Sequence, residues 1–309
     1  MLYTLTLNPS IDYIMHINDV KAGETNYADD DYMLPGGKGV NVSRVLNQLG
    51  VANKALGFIG GHTGRFIEDW LKKEGAEHDF ISINGDTRIN VKLKGEAETE
   101  INSKGPIITN ADSEKLLTRI RQLKSTDTII LSGSKSRGLS KTFYNQIIDI
   151  CTEQNISFVI DTNSKELLDI LKKKPFLVKP NQAELGQLFN QSIQSKEEAI
   201  YYGKKLQEGG AENVIVSLGG DGAIFIDQNE IYLAKSPKGN VINTVGAGDS
   251  MIAGFMAGIE KGLTKLEAFK LSVQSGSATA FNEDLATKEA ILALNNQVII
   301  ERVENYEDD

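Results

Sequence analysis

The sequence predicts a three-layer α/β/α fold with a mostly parallel central sheet and a small β-sheet lid, and three observations carry that reading. Apolar runs of strand length alternate with segments of helical period along most of the chain. Two polar-alternating segments interrupt this rhythm without helices of their own. The length of 309 residues, 40% apolar and 24% charged, suits one large domain with an appendage.

Strand-like runs occupy residues 2–7, 55–59, 128–131, 157–160, 176–178, 213–218 and 223–226. Helical stretches lie between many of them, at 39–49, 65–73, 141–153 and 196–208. In the first, Val42, Val45, Leu46 and Leu49 keep i, i+3, i+4, i+7 spacing and Gly50 supplies a stop. Alternating βα units imply a parallel sheet covered on both faces, with ligands at the carboxyl ends of its strands. The two interruptions are residues 11–34 and 88–104. The second reads as a hairpin: Asn90-Val91-Lys92-Leu93-Lys94, a turn at Gly95, then Glu98-Thr99-Glu100-Ile101-Asn102. Residues 1–10, 35–87 and 105–309 are therefore expected to form the core domain, with 11–34 and 88–104 a lid over the strand ends. The other reading of these strands is a surface hairpin without function. The acidic tail, residues 304–309, is expected to fray.

Composition narrows the function classes. Net charge is −9, and no basic tract interleaves with aromatics, so nucleic acid is not the expected partner. Cys151 is the only cysteine, which forbids an internal disulfide, suits a reducing compartment and reads as core filler. Residues 2–7 already read as strand and no apolar run reaches the ~18 residues that span a bilayer, so a cytoplasmic chain without membrane contact is expected. His16, His62 and His78 are scattered and lack metal-ligand spacing. A P-loop is absent: Gly37-Lys38 has Tyr32 five residues before the glycine and Gly39 after the lysine. No Gly-x-Gly-x-x-Gly follows the first strand, which removes the best support for a dinucleotide oxidoreductase.

The most informative stretch is Thr244-Val245-Gly246-Ala247-Gly248-Asp249-Ser250. Ile252, Ala253, Phe255, Met256 and Ile259 follow at near-helical spacing, so a glycine-rich turn opens a buried helix. Free N–H groups and the positive end of the helix dipole make an anion site there, and the same field favours Asp249 as its anion. An ionised base beside an anion hole is what phosphoryl transfer to an alcohol requires. A capping Asp on a packed helix is the plainer alternative. Pro35-Gly36-Gly37-Lys38-Gly39-Val40-Asn41 brings a cation and, one turn on, an amide to a helix start where glycines admit a ligand closely. Thr87-Arg88 precedes the hairpin, where a guanidinium could grip a phosphate bidentately. Asp12 could accept hydrogen bonds from sugar hydroxyls or serve as a turn residue. In Lys179-Pro180-Asn181-Gln182-Ala183-Glu184, Asn181 and Glu184 share one side of a helix start. They suit either a hydrated Mg²⁺ or ordinary capping. Ser217-Leu218-Gly219-Gly220-Asp221-Gly222 reads as a turn beneath a nucleotide or a plain hairpin turn.

Together these residues resemble the ribokinase-like (PfkB) carbohydrate kinases. Gly36-Gly37-Lys38-Gly39-Val40-Asn41 is similar to the family's amino-terminal signature, and Gly57-Phe58-Ile59-Gly60 with Thr63-Gly64 to the strand-loop-helix that follows. Asn181-x-x-Glu184 and Gly246-Ala247-Gly248-Asp249 match its metal-linked and catalytic signatures. Thr6-Leu7-Asn8-Pro9-Ser10-Ile11-Asp12, Asp86-Thr87-Arg88-Ile89-Asn90-Val91-Lys92 and Glu98-Thr99-Glu100-Ile101-Asn102 resemble the phosphosugar branch, nearest to 1-phosphofructokinases. The resemblance implies a ribokinase-like fold with a lid, and ATP and Mg²⁺ as cosubstrate and cofactor. It makes Asp249 the base, with Gly246, Ala247 and Gly248 forming the catalytic turn and the N–H groups of Ala247 and Gly248 its anion hole. Asn181 and Glu184 would organise Mg²⁺ through water, and Asn181, Ser217, Gly219, Gly222 and Gly248 would line the ATP site. Asp12, Gly37, Lys38 and Asn41 would hold the sugar, and Lys38 with Arg88 its phosphate. The implied reaction is phosphorylation of D-fructose 1-phosphate to fructose 1,6-bisphosphate. A tagatose-6-phosphate kinase, a 6-phosphofructokinase and a non-catalytic sugar-phosphate sensor stay open. Exposed lid strands also offer edges for a homodimer. One departure stands out: after Leu131-Ser132-Gly133-Ser134 the family continues with an apolar residue and proline, but here Lys135-Ser136-Arg137 follow. That predicts a more mobile loop, with Arg137 either on a phosphate or in water.

Overall fold

A computed structural model describes residues 1–96, 98–162 and 166–303; the expected fray at 304–309 and Ala97 of the hairpin turn lie outside them. The chain begins with β1 (Leu2–Thr6), β2 (Ser10–His16), β3 (Asp30–Gly36), α1 (Lys38–Gln48), β4 (Asn53–Ile59), α2 (Gly61–Glu74) and β5 (Glu77–Ser82). There follow β6 (Arg88–Lys94), β7 (Thr99–Asn102), α3 (Asn110–Ile120), β8 (Thr128–Ser132), α4 (Phe143–Glu153) and β9 (Ser157–Asp161). The short α5 (Leu167–Ile170) leads to β10 (Leu177–Val178), α6 (Gln182–Phe189), α7 (Lys196–Glu208), β11 (Asn213–Ser217), β12 (Ala223–Asp227) and β13 (Ile231–Lys235). The chain closes with α8 (Ala247–Glu260), α9 (Lys265–Ala280), α10 (Lys288–Ala293) and β14 (Ile299–Arg302).

Ten strands make the central sheet in the order β14-β13-β12-β11-β10-β9-β8-β1-β4-β5. From β5 to β11 every neighbouring pair is parallel; β12, β13 and β14 extend the sheet antiparallel. Strand side chains alternate between the two faces. Ile129 and Leu131 of β8, with Phe158 and Ile160 of β9, join a core built with α3, α4 and α7. Ile130 and Val159, between them in sequence, join a second core with α1, α8, α9 and α10. Helices thus cover both faces, and the three-layer expectation holds. The buried Cys151 belongs to the first core. Among the described residues no helix is long and apolar enough to cross a membrane.

The second sheet has four strands in the order β3-β2-β6-β7. β2 runs parallel to β6, with Ser10 opposite Arg88, Asp12 opposite Asn90 and Ile14 opposite Lys92. These alternate residues share one face. β6 and β7 form the antiparallel pair expected of the hairpin, Asn90 opposite Asn102. Helix α1 is tied to its neighbours by Arg44, which is 4% exposed. Its guanidinium donates to both carboxylate oxygens of Glu74 at the end of α2 and to Asp284 beyond α9.

Candidate active site

The carboxyl ends of β1, β8, β9, β10 and β11 meet the small sheet around a cavity of about 560 Å³. From β1 the chain adds β4 and β5 on one side and β8 onward on the other, so the cavity lies at the switch point of the sheet. Thr6, Ser132, Gly133, Asp161, Lys179 and Ser217 line the core wall, whereas Asp12, Arg88, Asn90, Lys92 and Glu100 line the side of the small sheet.

Glycines at the start of α1 bring that helix directly onto β1. Gly37 has φ +112°, and a Cβ there would lie 2.7 Å from Thr6 Cγ2; one on Gly39 would lie 2.6 Å from the Leu5 carbonyl oxygen. Any side chain would push the helix away and carry Lys38 and Asn41 with it. Held there, Lys38 Nζ donates to Asp161 Oδ2 at 2.9 Å, and Asn41 Nδ2 donates to Asp249 Oδ2 at 2.9 Å. Lys179 Nζ lies 3.9 Å from Asp161 Oδ1. It also closes on α8: a Cβ on Gly248 would come within 3.0 Å of that ammonium.

Asp249, in the first turn of α8, is 6% exposed. Its pKa is pushed up to about 6, first by burial and then by the Asp161 carboxylate; Lys38, the Asn41 hydrogen bond and Lys179 oppose the rise. The position at the helix start predicts the opposite direction, and tertiary burial outweighs it. At pH 7, above that value, the group is mostly ionised. Burial works against the charge on Lys38, yet Asp161 and Asp249 beside it hold it firmly protonated. Asp161 is buried too, but Lys179 and Lys38 keep its pKa lowered.

Gly246 caps α8 in the left-handed region, φ +79°. This folds the turn so that Ala247 N–H donates to the Thr244 carbonyl at 3.3 Å, while Ser250 N–H returns to Gly246. Among the described residues the N–H groups of Gly248 and Asp249 have no carbonyl partner, so the open donors begin one residue later than expected. The same turn borders a second cavity of about 620 Å³, lined by Gly219, Gly222, Ala247, Met251, Val273 and Phe281 among others. Asn181, Ser217 and Gly248 line both cavities and mark where they join.

Each residue that the sequence assigns to the catalytic, sugar, ATP or metal site lines one cavity or both. Asp12, Gly37, Lys38, Asn41, Arg88, Glu184, Gly246 and Asp249 belong to the first, Gly219, Gly222 and Ala247 to the second. Their partners change some expectations. Lys38 is paired with Asp161 and lines the same cavity as Arg88. The Arg88 guanidinium donates to the Asn8 and Ser103 carbonyls at 3.1 and 3.0 Å. Asp12 Oδ1 accepts from Ser10 Oγ and Asn90 Nδ2, and Lys92 Nζ lies 3.4 Å from Asp12 Oδ2 and from Glu100 Oε1. The loop after β8 is pinned rather than open: Ser136 Oγ donates to the Leu7 carbonyl at 2.7 Å, and Arg137 donates twice to the Gly105 carbonyl. Sequence reasoning missed Asp161, Lys179, Asn90 and Lys92. For Asp161 a signal existed, an acid directly after the apolar run 157–160, at the end of a parallel strand.

Asn181 and Glu184 form a reciprocal capping box: Asn181 Oδ1 accepts from Glu184 N–H at 2.8 Å, and Glu184 Oε2 accepts from Asn181 N–H at 2.9 Å. Among the described residues no group of three or more His, Cys, Asp or Glu could cage a metal. A carboxylate with its second oxygen outside the cap, in the first cavity beside Asn181, which lines both, fits Mg²⁺, which keeps most of its waters and binds chiefly to phosphate oxygens.

A family model described as pfkB family carbohydrate kinase matches residues 5–290. The chain is 49% identical over 303 residues to 1-phosphofructokinase of Bacillus subtilis, covering 98% of this chain and 100% of that protein. It is 39% identical over 286 residues to D-tagatose-1-phosphate kinase of Bacillus licheniformis, covering 92% and 94%. Its fold is similar to that of phosphofructokinase-2 from Escherichia coli solved with substrates and products: TM-score 0.91 at 26% identity, covering 96% of this chain and 98% of that one. With a glycine-capped helix at the meeting of two cavities and a family match along nearly its whole length, the chain belongs to the pfkB family of carbohydrate kinases.

Proposed function

We propose that this protein transfers the γ-phosphoryl group of Mg-ATP to the 6-hydroxyl of D-fructose 1-phosphate, giving fructose 1,6-bisphosphate and ADP. The observation that carries the reading is the carboxylate of Asp249, set with the open N–H groups of α8 at the junction of two cavities. The similarity to 1-phosphofructokinases names the sugar. The cavity beneath the small sheet is the polar one and takes the phosphosugar; the one bordered by Met251, Val273 and Phe281 takes the adenine end of ATP. Asp249 removes the proton from the attacking hydroxyl, and Asn41 orients its carboxylate. The hydroxyl oxygen bonds to the γ-phosphorus as the bond to the β-phosphate bridging oxygen breaks. The open N–H groups of Gly248 and Asp249 form the anion hole, and Lys38 and Lys179 add positive charge next to the transferring group. Asn181 and Glu184 would hold hydrated Mg²⁺, which neutralises phosphate charge when bound. Asp12, Gly37 and Asn41 contact the sugar, and Arg88 its existing phosphate. Residues 11–34 and 88–104 act as a lid that excludes water and so limits ATP hydrolysis. The outer face of this lid exposes Met33, Ile89 and Ile101, where a second copy pairs to form a homodimer.

A second reading, phosphorylation of D-tagatose 1-phosphate, is favoured by the 39% identical relative. ADP release measured with fructose 1-phosphate, tagatose 1-phosphate, tagatose 6-phosphate and fructose 6-phosphate, with and without Mg²⁺, decides between them. The expected result is Mg²⁺-dependent turnover with kcat/KM highest for fructose 1-phosphate. Faster turnover of another sugar reassigns the substrate. Sugar binding without ADP release from any of them makes the protein a sensor and overturns the proposal.

A further inference from the structure

The loop after β8 carries a clamp on the small sheet that the mechanism above does not use. After β7 the chain re-enters the core through Ser103, Lys104 and Gly105, and the carbonyls of all three are held by side chains. Arg88 Nη1 donates to Ser103 at 3.0 Å and Asn8 Nδ2 to Lys104 at 3.5 Å. Arg137 Nε and Nη2 fork onto Gly105 at 3.0 and 2.7 Å. The fork is itself anchored: Ile108 N–H donates to the Arg137 carbonyl at 2.8 Å, and buried Ser136 fixes the loop to Leu7, the residue that follows β1. Gly105 has φ +78°, and a Cβ there would fall 2.5 Å from Asn8 Oδ1, so the crossing is tight as well as tethered. Arg88 Nε, in turn, donates to the Asn8 carbonyl at 3.1 Å. Arg88 is thus oriented by two carbonyls, and one of them lies two residues from the carbonyl that Arg137 grips. Arg88 lines the first cavity; Arg137 does not.

We infer that Arg137 is a positioning residue for the phosphosugar: its fork on Gly105 fixes residues 103–105 and, through the Ser103 carbonyl, the guanidinium of Arg88. This inference rests on the phosphosugar-kinase reading. Losing a bidentate, charge-assisted contact to one carbonyl corresponds to roughly a tenfold effect. The test is steady-state kinetics of wild type, Arg137→Ala, Arg137→Lys, Arg88→Ala and the Arg88→Ala/Arg137→Ala double variant. Arg137→Ala is expected to raise the KM for fructose 1-phosphate about tenfold, leaving kcat and the KM for ATP nearly unchanged. Arg137→Lys, which keeps one donor, should recover part of the loss. Because Arg137 acts through Arg88, the double variant should bind the phosphosugar no worse than Arg88→Ala alone. Multiplied KM increases in the double variant would overturn the inference by showing that Arg137 acts independently. An unchanged KM in Arg137→Ala of an active enzyme would overturn it outright, and so would a loss spread equally over both substrates. Wild type that releases no ADP with any phosphosugar would instead fail the kinase reading itself, and this inference with it.

Discussion

Asp249→Asn is expected to lower kcat by roughly 10²–10⁴-fold, the range over which a positioned base contributes. The substitution keeps the shape of the side chain and leaves an oxygen to accept the 2.9 Å hydrogen bond from Asn41 Nδ2. It removes a buried charge whose ionisation burial and Asp161 resist, so the fold does not depend on it. The dissociation constant for ATP, measured by calorimetry, should stay within a few-fold of wild type. The open N–H donors of α8 and the walls of the second cavity are unchanged by the substitution. A kcat within a few-fold of wild type would remove Asp249 from the mechanism.

Arg88→Ala has the second largest expected effect, a rise in KM for fructose 1-phosphate of roughly 10- to 100-fold, from charge-assisted hydrogen bonds of about 1.5–3 kcal/mol. The side chain projects from β6 on the face shared with Asn90 and Lys92, at the edge of the first cavity. Two of its nitrogens are engaged by main-chain carbonyls, which fixes the plane of the guanidinium before substrate arrives. A pre-set fork loses less freedom on binding than a mobile one, so its removal acts mainly on affinity. The KM for ATP should be unaffected. Discrimination between fructose 1-phosphate and free fructose should shrink by the same factor. Unchanged phosphosugar affinity would place the phosphate elsewhere, with Lys92 the nearest cation on the same face.

Much of this site is legible in the sequence because glycine and cap chemistry are local. Gly37, Gly39 and Gly246 mark places where backbone must approach backbone or turn left-handed, and such needs show in residue type. The βα alternation likewise gives the parallel part of the sheet. What stays hidden depends on topology. Asp161 and Lys38 are far apart in sequence and meet only because β9, β8 and β1 are neighbours in the sheet. Lys92 reads as one more polar residue of an exposed hairpin until pairing with β2 sets it beside Asp12. The antiparallel strands β13 and β14 carry mixed exposure and no clean period, so the far edge of the sheet escapes pattern reading. Asp249 shows the limit most clearly. Its place at a helix start is local and argues for an easy anion; its burial and the nearby Asp161 are tertiary and raise its pKa. Arg137 shows the same limit: its partner is a carbonyl of Gly105, which no side-chain motif announces.

The direct test of Asp249 as the base is the pH dependence of kcat for wild type and Asp249→Asn with saturating Mg-ATP and fructose 1-phosphate. A base works only when deprotonated, so a pKa of about 6 places full activity above that value. The wild-type rate should then fall about tenfold per pH unit below it. The account predicts this acid limb in wild type and its disappearance from the residual activity of Asp249→Asn. An identical limb in both enzymes would assign the titration to another group and contradict the account.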